Sequence, residues 1–135
     1  MTIIGSWEYS FRARYFTGKL SWIGEFMLSI SILRDFGDTP GPRSREEGEH
    51  SGEQFLEEIL LPKFEEALRT DQKLTVDLDG TEGYATSFLE ASFGGLARKF
   101  DPARVLKVIQ IKSDDEPHSI EEVRKYIVDA NAARK

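Results

Sequence analysis

Two carboxylates near the middle of the chain, Asp77 and Asp79, have a spacing that could support catalysis. Residues two apart on a strand face the same side, so the pair could raise one carboxyl pKa or hold a divalent cation. That chemistry would suit a small metal-dependent phosphoester hydrolase or phosphotransfer domain. However, Asp79-Gly80 is also ordinary turn chemistry, and no histidine or lysine is placed in the sequence to complete a catalytic set. We therefore expect no catalytic residue, no metal site and no cofactor, and keep the hydrolase as the alternative.

Two hydroxyl side chains, Thr86 and Ser87, end the turn that begins at Asp77 and leads into a predicted helix. A phosphate is stabilised at a helix N-terminus by free N–H groups and by the helix dipole. Both residues are therefore phosphorylation candidates. Ser87 also has a purely structural explanation, because a serine that caps a helix contributes about 1 kcal/mol to its stability. If Ser87 is engaged in capping, Thr86 is the better candidate.

The segment from Asp35 to Gly52 is a long loop rich in glycine, proline and charge, and compact domains rarely keep such a loop without a purpose. We expect either a functional flap or partial disorder. Arg43 and Arg45 lie in this loop and Ser51 stands at the start of the next helix, so together they could clamp a phosphate or a carboxylate. The alternative is a solvated loop. No Gly-Lys-Ser or Gly-Lys-Thr follows the glycines, which excludes a phosphate-binding P-loop.

Three helices are predicted from one shared signal, a serine followed three residues later by Glu or Gln, which can satisfy backbone N–H groups reciprocally. The signals are Ser51 with Gln54, Ser87 with Glu90, and Ser119 with Glu122. The first helix carries apolar residues at helical spacing from Phe55 to Leu68, and Pro62 is expected to kink or split it. The second helix should end near Lys99 and the third near Ala133.

Three apolar runs, at 28–33, 73–78 and 105–111, are predicted strands, and the last reads as buried on both faces. Strands that alternate with helices favour an α/β fold, here a mostly parallel sheet of about four strands with three main helices. The carboxyl ends of such strands meet at one edge, where ligands and partners usually bind. The predicted partner-binding residues at that edge are Asp79, Gly80, Thr81, Tyr84 and Phe88.

Residues 1–26 differ from the rest of the chain, because aromatic residues from Trp7 to Tyr15 alternate with polar ones as they do in a strand. Thr17-Gly18-Lys19 could turn the chain back and complete an aromatic hairpin. Such a hairpin would offer an interface for a homo-oligomer. The competing interpretation is an extension in front of a natural start at Met27. In both cases residues 27–135 form one α/β domain.

The composition indicates a single soluble domain. Its 135 residues, 39% of them hydrophobic, suffice for one core. A net charge of -6 opposes binding to nucleic acid. No apolar run reaches the length of a membrane span, and the N-terminus lacks the features of a secretory signal. The absence of cysteine fits a reducing compartment, so we expect a cytoplasmic protein without nucleic-acid or membrane partners.

Several short motifs match those of a known family. They are Asp35-Phe36, Pro40-Gly41-Pro42-Arg43, Gly48, Ser51-Gly52-Glu53, Phe55, Val76-Asp77-Leu78-Asp79-Gly80, Ser87-Phe88-Leu89-Glu90 and Phe93-Gly94-Gly95. With these motifs the chain from about Leu28 to Ile127 resembles the STAS-like family of unknown function, which is distantly related to anti-sigma factor antagonists. The resemblance implies a STAS-like α/β fold and a regulatory, protein-binding role in signalling rather than catalysis.

The resemblance also bears on the two hydroxyls. In anti-sigma factor antagonists the turn before the second helix carries Asp-Ser-Ser-Gly, and a partner kinase phosphorylates a serine there. The corresponding residues are Ala85-Thr86-Ser87-Phe88, which keep a hydroxyl at both central positions but lack the preceding acid and the following glycine. The resemblance implies that the partner is a histidine-kinase-like ATPase and that Thr86 or Ser87 receives the phosphate.

Overall fold

A parallel sheet forms the centre of the molecule, for which a computed structural model describes residues 28–133, with side chains as far as residue 130. Its strands are β1 (Leu28–Ser31), β2 (Leu74–Asp77) and β3 (Ile109–Lys112), in the order β1-β2-β3. The predicted α/β class and parallel pairing are confirmed, but residues 28–133 contribute three strands where we expected about four. The hairpin predicted for residues 1–26 lies outside the described residues.

Helices connect and follow the strands. A single turn, α1 (Ile32–Asp35), ends the first strand, which is therefore shorter than the run 28–33 suggested. The longer helices are α2 (residues 52–70), α3 (residues 86–99), α4 (Pro102–Val108) and α5 (His118–Ala133). Within residues 28–133, no helix has both the length and the apolar composition that crossing a membrane requires.

Helix α2 passes Pro62 without the predicted split. It consists of Gly52–Phe55, a π-helical turn at Leu56–Leu60, and Leu61–Thr70. Pro62 therefore lies in the first turn of the last segment, where a missing N–H is tolerated because that group has no partner within the segment. The wider hydrogen-bond spacing of a π turn absorbs the distortion that a proline would otherwise cause.

The predicted strand at 105–111 is wrong for its first half, because residues up to Val108 belong to helix α4. Asp101 caps this helix, since its side chain accepts a hydrogen bond from the Arg104 N–H at 3.4 Å, and Pro102 opens it. Val105 is buried while Leu106 is exposed, which fits one buried helix face. A short apolar run fits the spacing of a helix as well as that of a strand. The helix start signal at Asp101 and Pro102 is therefore what distinguishes the two structures.

Of the three predicted serine caps, only Ser51 is confirmed: its side chain accepts the Gln54 N–H at 3.0 Å. Helix α3 instead has Ala85 as its N-cap, so Ser87 is already helical. Helix α5 begins at His118, so Ser119 also lies inside it. The Ser-x-x-Glu spacing occurs within helices as well as at their starts, and the path of the chain into the helix distinguishes the two cases.

The two faces of the sheet differ in polarity. On one face Ile30, Leu74 and Val76 are fully buried in a core shared with the helices. On the other face Ser29 and Gln110 are exposed. The alternation follows from the two-residue period of a strand. Large aromatic members of the core are Phe55, Phe64, Phe88 and Phe93.

The loop between α1 and α2 is held to the start of α2 by backbone hydrogen bonds. Gly41 N–H donates to His50 O at 2.8 Å, and Gly52 N–H donates to Pro42 O at 2.8 Å. A side chain at Gly41 would place its Cβ 2.3 Å from the Glu49 carbonyl oxygen, so this close approach requires glycine. The loop is therefore a compact structural unit that carries Arg43 and Arg45 along the start of α2.

Candidate functional site

The predicted functional end forms where β2 and β3 finish side by side. Their parallel register places Asp77 next to Lys112, the last residue of each strand. The turn after β2 and the turn after β3 therefore leave the sheet at the same edge and meet. This juxtaposition brings Lys112 to the two carboxylates, although it lies more than thirty residues from them in sequence.

Lys112 connects three acids at this edge. Its Nζ lies 2.8 Å from Asp79 Oδ2, 3.1 Å from Asp114 Oδ2 and 3.9 Å from Asp77 Oδ2. The hydrogen bond to Asp79, followed by that to Asp114, raises the pKa of Lys112 above its ordinary value. Our sequence reasoning missed this residue because the strand was placed too early. The signal that could have found it is an acid and a base ending neighbouring parallel strands.

Asp79 holds the two turns together. Its Oδ1 accepts the Asp115 N–H at 2.8 Å, while Asp115 Oδ2 accepts the Gly80 N–H at 2.9 Å. The backbone hydrogen bond from Asp115, with the contribution of Lys112, lowers the pKa of Asp79 to about 2. Asp77 Oδ1 in turn accepts the Asp79 N–H at 2.9 Å. Reciprocal hydrogen bonds between turns of this kind rigidify both.

This arrangement is better suited to structure than to catalysis. A carboxylate with so low a pKa is a weak general base near neutral pH. Asp77 accepts a hydrogen bond from its own turn and Asp79 accepts one from the turn after β3, while Lys112 occupies the space between them and Asp114. Among the described residues, no group of three or more His, Cys, Asp or Glu side chains could hold a metal ion. The geometry therefore gives the hydrolase alternative no support.

The predicted partner-binding residues do not all face solvent. Gly80 has a φ of 92°, which favours glycine, and lies against Leu33. Tyr84 donates its hydroxyl to Leu78 O at 2.9 Å, and burial raises the pKa of the phenol to about 12. Phe88 is fully buried and stacks on Phe55 with ring centroids 5.8 Å apart. Its ring therefore supports α3 from inside and offers no contact surface.

A small cavity of about 200 Å³ opens between the two turns. Its lining residues are Leu78, Thr81, Glu82, Gly83, Tyr84, Ser113, Asp115 and Glu116. The turn after β3 therefore contributes three of these eight residues, and none of the three is among the predicted partner-binding residues. Thr81 Oγ1 accepts the Gly83 N–H at 3.3 Å, so it too stabilises the turn.

The two hydroxyl candidates differ in accessibility. Thr86 is the first residue of α3 and is exposed, whereas Ser87 is half-buried. Because Ala85 has no side-chain oxygen, the helix start receives no side-chain cap from its N-cap residue. Thr86 is thus the hydroxyl that a kinase could reach more easily.

Arg43, Arg45 and Ser51, the predicted anion clamp, are each engaged with different groups of the chain. Arg43 Nη1 forms a short contact with Glu90 Oε1, and Arg98 Nη1 binds Glu90 Oε2 at 2.7 Å. Partial burial acts to raise the Glu90 pKa, but Arg98 and Arg43 outweigh it and the pKa is lowered.

Arg45 pairs instead with two acids of α2, Glu57 at 3.2 Å and Glu58 at 3.1 Å. Ser51 is fully buried, and its hydroxyl caps α2 by accepting the Gln54 N–H. The structure does not bring the three predicted residues together around one anion position. It brings Arg43 together with Arg98, a residue that the sequence reasoning had not selected.

Comparison with known proteins identifies the family. A family model described as a STAS-like domain of unknown function (DUF4325) matches residues 51–119, about half of the chain. No curated protein and no solved structure matches the chain. The matched region contains α2, β2, α3, α4, β3 and the turns that follow β2 and β3. It therefore includes the whole candidate site except the loop that carries Arg43. The chain belongs to the STAS-like domain family of unknown function.

Proposed function

We propose that this protein is a non-catalytic regulatory module that binds a protein partner at the carboxyl edge of its sheet. The docking surface consists of the turn 79–84, the turn 113–116 and the exposed start of α3 at Thr86. The observation that carries the proposal is the reciprocal pair of hydrogen bonds between Asp79 and Asp115 and between Asp115 and Gly80. These bonds preorganise the surface, and a preorganised surface loses less conformational freedom on binding.

The chemistry of the surface favours a partner over a substrate. Its acidic side chains outnumber its basic ones, with Lys112 already paired, and the cavity of about 200 Å³ between its two turns is too small for most ligands. The STAS-like family fits a regulatory protein-binding module. We propose a histidine-kinase-like ATPase as the partner, and phosphorylation of Thr86, with Ser87 as the second candidate, as the switch.

The test is co-purification of the tagged full chain with the ATPase, identified by mass spectrometry and then reconstituted from pure components. Thr86→Glu is expected to weaken binding at least tenfold, because it adds negative charge to the docking surface. Ala103→Glu is the matched control, since it adds a carboxylate at an exposed position in the first turn of another helix, α4, before β3.

Two results would contradict the proposal. If Thr86→Glu, Ser87→Glu and Ala103→Glu all bind the ATPase as the wild type does, there is no switch at the start of α3. If Asp115→Asn and Lys112→Gln, which loosen the two turns, also leave the affinity unchanged, the carboxyl edge of the sheet is not the docking surface.

A further inference from the structure

A cluster of three charged side chains joins the loop before α2 to helix α3. Glu90 binds Arg43 through one carboxylate oxygen and Arg98 through the other, at 2.7 Å for Arg98. Two guanidinium groups share one carboxylate, so the cluster carries one positive charge in excess. Although the chain has a net charge of -6, this local excess suits an anion.

The cluster lies one helical turn from the exposed hydroxyl of Thr86. Thr86 and Glu90 are four residues apart in α3, and such residues are neighbours on a helix surface, with Cβ atoms about 5–6 Å apart. The side chain of Arg43 is 49% exposed, so solvent and a neighbouring group can reach it. A phosphate on Thr86 would therefore stand within the range that a rotating arginine side chain covers.

The backbone of Arg43 is fixed while its side chain can change partners. Arg43 O accepts the Glu53 N–H at 3.0 Å, which holds the loop to the start of α2. The start of α2 packs directly on α3, because a Cβ at Gly52 would lie 2.6 Å from the Phe88 carbonyl oxygen. If Arg43 leaves Glu90, Arg98 still pairs with that carboxylate, so no unpaired charge remains.

We propose that Arg43 is the phosphate-binding residue of this domain, and that its ligand is the phosphate carried by Thr86 of the same chain. Arg98 remains paired with Glu90 when Arg43 binds the phosphate. This inference rests on the proposed phosphorylation of Thr86. A phosphate dianion has more charge and more acceptor oxygens than a carboxylate, so it competes well for a guanidinium fork. Binding would move Arg43 from Glu90 toward the docking surface and release the contact between loop and helix.

The test measures the phosphate directly and needs no partner protein. The full chain is made with phosphothreonine inserted at position 86 during translation. The second pKa of the phosphate group is then measured by phosphorus NMR. A guanidinium within a few ångströms is expected to lower this pKa by roughly half a unit or more. Arg43→Gln should abolish the shift. Arg45→Gln is the matched control, because Arg45 lies in the same loop and pairs with other acids.

The inference is overturned if the phosphate pKa is the same with Arg43, with Arg43→Gln and with Arg45→Gln. A second measurement avoids any effect of the substitution on folding: the side-chain Nε–H signal of Arg43 in the phosphorylated wild type should move as the phosphate ionises, and that of Arg45 should not. An unmoved Arg43 signal also refutes the inference. Because neither experiment involves the ATPase, their failure leaves partner docking intact, and failure of docking leaves this result intact.

Discussion

Lys112 and Asp115 determine the shape of the docking turns although neither was selected from the sequence. Lys112 neutralises the carboxylates at the ends of two strands, and Asp115 exchanges hydrogen bonds with Asp79 and Gly80. Without them, Asp77 and Asp79 would repel each other at the same edge. The acids therefore act as acceptors that fix a backbone, which differs from the catalytic role that their spacing suggested.

Lys112→Gln is expected to raise the pKa of Asp79 from about 2 toward its ordinary value of 3.8. The rise should be partial, because the largest cause of the low pKa, the Asp115 N–H, remains. A lowered carboxyl pKa stabilises the fold at every pH above the ordinary pKa of the group. This contribution disappears as the pH falls from about 4 to about 2. Carboxyl NMR titration of Asp79 measures the shift.

The control for this titration is Lys107→Gln, which removes the same charge from an exposed position five residues earlier. It should leave the Asp79 curve in place. An Asp79 pKa that is unchanged by Lys112→Gln, or changed equally by Lys107→Gln, would show that Lys112 does not act through the contact at 2.8 Å.

Tyr84→Phe should destabilise the fold by about 1 kcal/mol, because it removes the hydroxyl that satisfies the Leu78 carbonyl. In the wild type, the raised phenol pKa predicts stability that is fully present below about pH 10 and lost as the pH rises through about 12. Urea unfolding measures the first effect, and the tyrosinate absorbance measures the second. Tyr126→Phe, on helix α5, serves as the control. Equal unfolding curves for Tyr84→Phe and wild type would contradict this role.

At the scale of elements, the helix starts show how a local signal succeeds or fails. Ser51 caps α2 because the preceding loop reaches it in an extended conformation, with φ -73° and ψ 163°. Ser87 has the same sequence signal, but the chain becomes helical at Thr86, one residue earlier. The tight packing of α2 on α3 at Gly52 then depends on where both helices begin.

A matched pair of serine substitutions tests this difference. Ser51→Ala should cost about 1 kcal/mol or more, because the Gln54 N–H loses its acceptor in a fully buried position. Ser87→Ala should change stability by no more than about 0.5 kcal/mol, since Ser87 is not the cap. Chemical denaturation of both variants decides the matter. If Ser87→Ala lowers the free energy of unfolding by more than this limit, Ser87 has a structural role after all.

Gly52→Ala is expected to destabilise the protein by roughly 1–3 kcal/mol, because the added methyl would lie 2.6 Å from Phe88 O and 3.0 Å from Ala91 Cβ. Phe88 O is a backbone atom, so it cannot move away from the methyl group as a flexible side chain could. Glu65→Ala, an exposed change on the same helix, is the control and should be nearly neutral. Thermal unfolding followed by circular dichroism compares them. A Gly52→Ala variant as stable as the control would mean that the two helices are farther apart.

At the scale of the whole molecule, residues 28–133 contain a continuous core. Each strand contributes buried residues to it, the helices α2, α3, α4 and α5 supply most of the others, and Ile32 of α1 and Leu78 of the turn after β2 complete it. The carboxyl edge of the sheet carries the docked turns, and the loop before α2 lies along α3 through Arg43. The candidate docking surface thus rests on elements from the entire described region.

We predict that a chain lacking residues 1–26 folds cooperatively, because all three strands and the longer helices of the described region contribute to one continuous core. A single thermal transition and retained Asp79 and Tyr84 titrations would agree with this expectation. If residues 1–26 form the oligomer interface that their alternating aromatics suggest, the same deletion should lower the mass measured by analytical ultracentrifugation. Loss of the cooperative transition would contradict the domain boundary at residue 27.

Much of the fold could be predicted because it rests on local patterns. The strand at 73–78, the helix opened by Ser51 and the terminal helix from about Ser119 are found within a few residues of the predicted positions. The run at 105–111 could not be assigned from periodicity, because its five apolar residues fit both a helix and a strand. The cap at Asp101, which begins helix α4, decides between them.

The sequence alone determined the α/β class, the parallel pairing of the strands, the family and the position of the turn after β2, since each follows from local periodicity, turn residues or short motifs. Only the tertiary structure decided which side chains meet: Lys112 with Asp77 and Asp79, and Arg43 with Glu90. These pairs are separated by more than thirty residues. Their contact depends on strand register and helix packing, which no local pattern contains.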